Sequence, residues 1–224
     1  RIGGVDCPAV ITAMPETAGA TDYKSDSRGD LPLLGGMAPM PLTSLTPWRM
    51  QPSQTKTSGP APKSQAIMLG RPWSHTVSDA ARGTALHVAM RTFLTRPDLA
   101  ASLARSTGLD EPTLLLVAER AAILKAWLID QGYPKLHCEI PVLGHSTEGA
   151  EIIGMIDLLA VGPAGCLLID HKTGGAGEGF GPYWPQLAAY SMLVEGFSQS
   201  GPLNGIAIFW VDHGRLDLVE QTGA

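Results

Sequence analysis

Cysteine is scarce in this sequence: Cys7, Cys138 and Cys166 are the only three, and no two form a CxxC pair. That scarcity excludes a disulfide scaffold and points to a reducing compartment. Long apolar runs are absent too. None approaches the roughly 20 residues that a membrane-spanning helix needs, and no basic-then-apolar leader opens the chain. Positive charge is in short supply, with a formal net charge of −5 at pH 7. A nucleic-acid partner would therefore have to be recognised by a site and not by overall charge. What remains is an ordinary globular composition, 44% hydrophobic and 17% charged, in a chain long enough for one sizeable domain or a domain and a tail. The first residue is Arg1 rather than methionine, which gives the expectation of a piece of a longer or processed polypeptide.

Regular structure is not expected before residue 76. Stretches such as "GDLPLLGGMAPMPLTSLTPW" and "QPSQTKTSGPAPKSQ" are rich in Pro, Gly, Ser and Thr and keep no period of 2 or 3.6. Their prolines lack the amide donor that helices and sheets use. Residues 1–75 read as an irregular arm or linker, either disordered or extended with Trp48, Met50 and Met68 packed on a neighbour.

Residues 76–224 read as the folded domain. "SDAARGTALHVAMRTFL" offers Ser78 as a helix cap, with Asp79 in the first turn. Loop and a short helix lead to "DEPTLLLVAERAAILKAWLIDQG", with Pro112 at its start and Gly132 just past its end. The broad apolar face of this second helix suits core packing. Three strand candidates follow at 135–143, 151–161 and 166–173, the last two joined by the turn "GPAG" into an antiparallel hairpin. The glycine-rich "GGAGEGFGP", a helix "YWPQLAAYSMLVEGF" and a strand "GIAIFWVD" complete the order. "DHG" at 212–214 reads as a turn. Helix, three strands, helix, strand predicts an α/β fold with a mixed central sheet flanked by helices.

The hairpin concentrates chemistry at one spot. With Val161 facing Cys166, stepping four residues along each strand sets Asp157 opposite Asp170. Opposed residues have Cβ atoms roughly 4.5–5.5 Å apart, where like charges repel. Both strands are apolar on both faces, so the two carboxylates either share a proton or hold a cation. Lys172, two residues after Asp170, projects from the same face. Glu139 lies on the preceding strand. A loop centred on residue 147 sets it opposite Met155, on the Asp157 face, and a slip of one residue in "GHSTEGA" changes that face. His87 follows Gly83 by one helical turn. A glycine inside a helix costs about 1 kcal/mol, and close approach of the helix to the sheet would offset it, bringing His87 over the carboxylates. Each residue also has a plainer reading: His87 as an ordinary helix histidine, the two acids as a protonated pair, and Glu139 as a surface strand residue. Gln186 and Tyr190, one turn apart, could be packing alone, and Arg82 either touches phosphate or is a solvated helix residue.

The ordered series "RGTALH", "CEIPV", "GMIDLL", "IDHKTG" and "YWPQLAAY" resembles the RecB-type nuclease domain of the PD-(D/E)xK superfamily, most of all the C-terminal nuclease of AddA-type helicase–nuclease subunits. It covers about residues 80–212. The resemblance implies a restriction-endonuclease-like core and hydrolysis of DNA phosphodiester bonds, as an exonuclease, with Mg²⁺ or Mn²⁺. It implies His87, Asp157, Asp170 and the backbone carbonyl of His171 as metal ligands. Lys172 matches the catalytic lysine, Glu139 the strand glutamate near the site, and Gln186 and Tyr190 the helix bordering the DNA path. The position between acid and lysine is usually aromatic in that family; here it is His171, whose side chain is expected on the opposite face. Some relatives hold an iron–sulfur cluster through cysteines placed after the lysine. No cysteine follows Cys166, so no cluster is expected. The implied partners are single-stranded DNA ends, a helicase domain of the same polypeptide and a second helicase–nuclease subunit, in the bacterial cytoplasm and without a membrane. A free-standing phage-type exonuclease and a nuclease-dead DNA-binding or scaffold module remain the alternatives. Retention of both acids and the lysine argues against the latter.

Overall fold

The computed structural model describes residues 49–52, 61–74, 80–145, 150–174, 179–195 and 201–221. Contacts separate Arg1–Ser44 from Leu45–Ala224, and every described residue belongs to the second unit. Cys7, Trp48, the side chain of Met50, the Ser78 cap with Asp79, and residues 175–178 of the glycine-rich stretch lie outside the described residues.

The elements run β1 (Arg49–Met50), β2 (Gln65–Met68), α1 (Ala80–Thr95), α2 (Ala100–Thr107), α3 (Glu111–Asp130), β3 (Lys135–His145), β4 (Glu151–Gly162), β5 (Gly165–Lys172), α4 (Trp184–Glu195), β6 (Leu203–Trp210) and β7 (Arg215–Glu220). The fold is α/β. One mixed sheet carries the order β1-β4-β5-β6-β7-β2, with β3 also paired to β4. β5 and β6 run parallel, connected through α4, while β3–β4, β4–β5 and β6–β7 are antiparallel. Among the described residues no helix is long and apolar enough to cross a membrane.

Local chemistry accounts for the helices. Leu86, Ala89, Met90 and Leu94 of α1 recur at helical spacing and are buried. The helix stops before Pro97, which disfavours helical backbone at the residue ahead of it. The side chain of Asp110 caps α3 by accepting the Thr113 amide at 2.9 Å, and Gly132 follows the helix end at φ +87°. α1 and α3 cover one face of the sheet, over Leu158, Ala160, Ile169 and Phe209. Leu187, Tyr190 and Val194 of α4 cover the other, over Ile156, Leu168, Ile208 and Trp210.

Three expectations are corrected. The segment read as an irregular arm supplies two strands: β1 pairs parallel to β4, and β2 antiparallel to β7. A domain boundary at residue 76 would therefore cut through the sheet. The final strand is followed by another, β7, with the 211–214 turn between them. Finally, β3 and β4 extend into the stretch read as loop, so their pairing centres on residue 148, with His145 opposite Glu151 and Pro141 opposite Met155. Glu139 is not opposite Met155. The β4–β5 hairpin has the predicted register, Val161 facing Cys166, with Gly162 facing Gly165 across a two-residue turn.

The pairings of β4 leave an opening. β1 and β3 both pair with Glu151 and Ile152, so they occupy opposite edges of β4. β5 joins β1's edge only from Leu158 onward. Among the described residues, no strand lies beside that edge between Ile153 and Asp157.

Candidate functional site

Asp157 lies where both ladders of β4 fail. Pairing with β3 passes from Cys138–Leu158 to Ile140–Ile156 and skips Glu139 and Asp157. Pairing with β5 ends at Leu158–Ile169, one step short of setting Asp157 against Asp170. Glu139 is a non-glycine residue at φ +51°. The side chains record the break: Ile156 packs under α4, whereas Leu158 packs under α1 and α3. In an unbroken strand two such residues share a face. Freed from the ladder, the Asp157 carboxylate turns into the opening. Its Oδ2 accepts the His171 amide at 2.8 Å and lies 3.6 Å from His87 Nδ1.

His87 arrives from α1. A Cβ added at Gly83 would stand 3.2 Å from Thr173 Oγ1, so the helix does come close to the end of β5 there. Asp170 is 3% exposed, in the middle of the apolar α4 face. Gln186 Nε2 donates to its Oδ1 at 3.0 Å. Lys172 Nζ stands 2.7 Å from its Oδ2 and forms an ion pair there. Burial, and then the neighbouring Asp157 charge, push the Asp170 carboxyl above its ordinary range, against the opposing pull of Lys172. A carboxylate buried this deeply keeps its charge only beside a cation, and here the Lys172 ammonium is one.

The ring of Tyr183 lies beneath the Lys172 ammonium, 5.1 Å from Nζ to the centroid, and helps hold it over the site. The Tyr190 hydroxyl accepts the Met155 amide at 3.4 Å, and its ring fills the space above Gly154. His87, Asp157, Asp170, Lys172, Gln186 and Tyr190 thus line one cavity of about 480 Å³.

The His171 side chain packs edge-on to Phe209, which belongs to the core under α1 and α3, and also edge-on to His87. Burial pushes its imidazole down to about 3, so it is neutral. Its backbone has another direction. The Lys172 carbonyl accepts from Val211 next to β6, whereas the His171 amide donates toward β4. Because a strand residue sends its N–H and C=O to the same edge, the His171 carbonyl faces the opening. Two carboxylates, an imidazole and a carbonyl form an oxygen-rich donor set suited to a hard divalent ion. Among the described residues, no three His, Cys, Asp or Glu side chains stand grouped as a metal cluster.

Two candidates lie elsewhere. Glu139 is ion-paired with Arg91 and does not line the cavity, because the register and the positive φ turn it toward α1. Arg82 Nη2 donates to Thr113 Oγ1 at the start of α3. Sequence reading missed Gln51, which follows β1 into the cavity, and Tyr183 beneath Lys172. Nothing local marks Gln51. Tyr183 does open the "YWPQLAAY" motif, and an aromatic close to a functional lysine is a usable signal. Cys138 has its thiol pushed up to about 12 by burial and then by the Glu139 and Asp157 charges, so it is a neutral thiol.

No protein-family model and no curated protein matches the sequence. Among solved structures, SSO0001 aligns with 66% of this chain and 69% of its own at 16% identity, with a TM-score of 0.30, a likeness too slight to carry an argument.

Proposed function

We propose that this chain carries a Mg²⁺- or Mn²⁺-dependent deoxyribonuclease domain with a restriction-endonuclease-like core, acting as the exonuclease arm of a bacterial cytoplasmic helicase–nuclease. The observation that supports it most is the meeting of His87, Asp157, Asp170 and Lys172 from α1, β4 and β5 at the gap in the sheet. His87, Asp157, Asp170 and the His171 carbonyl would hold the ion. When bound, such an ion lowers the pKa of a coordinated water and polarises a phosphoryl oxygen.

The chain's own groups divide the remaining work. Lys172 presents a compact positive charge to the phosphate, where negative charge grows during hydrolysis. Asp170 and the Tyr183 ring fix the position of that ammonium. Gln186 holds the orientation of Asp170 through Oδ1, leaving Oδ2 for the ion or for Lys172. Ile153 and Met155 give the cavity an apolar wall against which a sugar or base can rest. This local arrangement lets a net-negative chain take a phosphate backbone. The full partner set in this reading is a single-stranded DNA end, a helicase domain and a second subunit.

The test is cleavage of labelled single-stranded DNA with Mg²⁺, Mn²⁺ or EDTA by the natural protein and by Lys172→Ala. Metal-dependent cutting that disappears in the variant is expected. Metal-independent cutting, or cutting that survives in the variant, would refute the assignment. If neither protein cuts, Mn²⁺ calorimetry decides: uptake lost in Asp170→Ala leaves a competent site without its DNA feeder, and no uptake at all leaves the scaffold reading.

A further inference from the structure

We propose that Arg91 and Glu139 form a positioning clamp that kinks β3 and keeps the β3–β4 ladder broken, so that Asp157 faces the site. This inference rests on the metal reading of Asp157 above. Glu139 holds φ +51°, a left-handed conformation in which the Cβ of an ordinary L-residue crowds its own backbone. Such a conformation persists only where surrounding contacts impose it.

The contact that imposes it comes from α1. Arg91 Nη1 is ion-paired with Glu139 Oε2, and Arg91 stands four residues after His87. Residues four apart share a helix face. The same face of α1 therefore offers an imidazole to Asp157 and a guanidinium to Glu139.

The effect of the kink is local. On either side of it the β3–β4 ladder is regular, with Cys138 against Leu158 and Ile140 against Ile156. Were residue 139 to relax into extended backbone, it would close the ladder against Asp157. The side chains of β4 would then alternate without a break, and Ile156 and Leu158 could not face opposite sides as they do. Asp157 would also leave the position from which its Oδ2 accepts the His171 amide. Glu139 thus serves the site without entering its cavity, by kinking β3 and so freeing from the ladder the β4 residue that is to hold the ion.

The clamp predicts an unusual order of variants. Glu139→Ala and Arg91→Ala remove the tie but leave a Cβ at residue 139, so the strand relaxes. Glu139→Gly also removes the tie, yet glycine adopts positive φ without penalty and keeps the kink. Two measurements on the full chain read this out: hydrogen exchange of the His171 amide in the metal-free protein, and Mn²⁺ affinity by calorimetry. The alanine variants should lose on the order of tenfold in both, the cost of one left-handed residue. The glycine variant should stay within about twofold of the natural protein. Glycine as damaging as alanine would show that the carboxylate itself acts at the site, and would overturn the clamp. All three variants matching the natural protein would overturn it as well. If the natural protein takes up no Mn²⁺, the metal reading fails, while amide exchange alone still decides whether the clamp exists.

Discussion

Replacing His171 with phenylalanine should remove a large part of the acid sensitivity of the fold. The imidazole is 2% exposed, with its Nε2 lacking a hydrogen-bond partner and its ring edge-on to Phe209. Burial lowers its pKa from 6.5 to about 3, assisted by the neighbouring His87 and Lys172 and opposed by Asp170. A base with a depressed folded-state pKa contributes stability that is fully present above the unfolded value and is lost as pH falls toward the folded one. Between pH 7 and pH 4 the unfolded chain takes up the proton and the folded chain does not. The loss at pH 4 is about 3 kcal/mol. Phenylalanine keeps the ring contact and has no base to protonate. At pH 7 it should cost little, since no hydrogen bond at Nε2 is broken. Urea unfolding in EDTA at pH 7 and pH 4 compares the two proteins. The natural midpoint should fall by about 1–3 M more than that of His171→Phe, given a typical slope of 1–3 kcal/mol per molar. The other histidines are common to both proteins, so the difference isolates this one. Equal falls in the two proteins, or an NMR titration of His171 near pH 6, would refute the reasoning.

Two further outcomes test the site. An alanine Cβ at Gly154 would lie 2.5 Å from Tyr190 Cε1 and 2.6 Å from its Oη, so the ring must move out of the α4 core. Gly154→Ala should cost about 1–3 kcal/mol in urea unfolding, and an unchanged midpoint would mean that Tyr190 does not sit there. Mn²⁺ at a hundredfold excess over its dissociation constant should stabilise the natural protein by about 2.7 kcal/mol. That raises its melting temperature by about 5–10 °C for a domain of this size. The rise should vanish in the Asp157→Asn and Asp170→Asn variants, and a rise that persisted in both would place the ion elsewhere.

The long elements were legible because their signals are local. Pro112 and Gly132 bracket α3, helical spacing marks α1, and two apolar runs around "GPAG" set the β4–β5 register to the residue. That register already brings Asp157, Asp170 and Lys172 to one end of the hairpin. β1 and β2 were illegible for the opposite reason. Two and four residues long, they have no period of their own and exist because a distant strand offers an unpaired edge. β7 is hard to read for its length: "RLDLVE" alternates over its first four residues, but it is six residues long and follows directly on the turn at "DHG".

By itself, then, the sequence determined the helices, the hairpin and the grouping of two acids with a lysine, since period and turn chemistry act over a few residues. Only the tertiary structure decided that Asp157 leaves both ladders, that Gln51 reaches the cavity and that Glu139 turns away to Arg91, 48 residues earlier in the chain. A strand's alternation is broken by what packs against it, and here that is a helix the local pattern around residue 139 cannot contain.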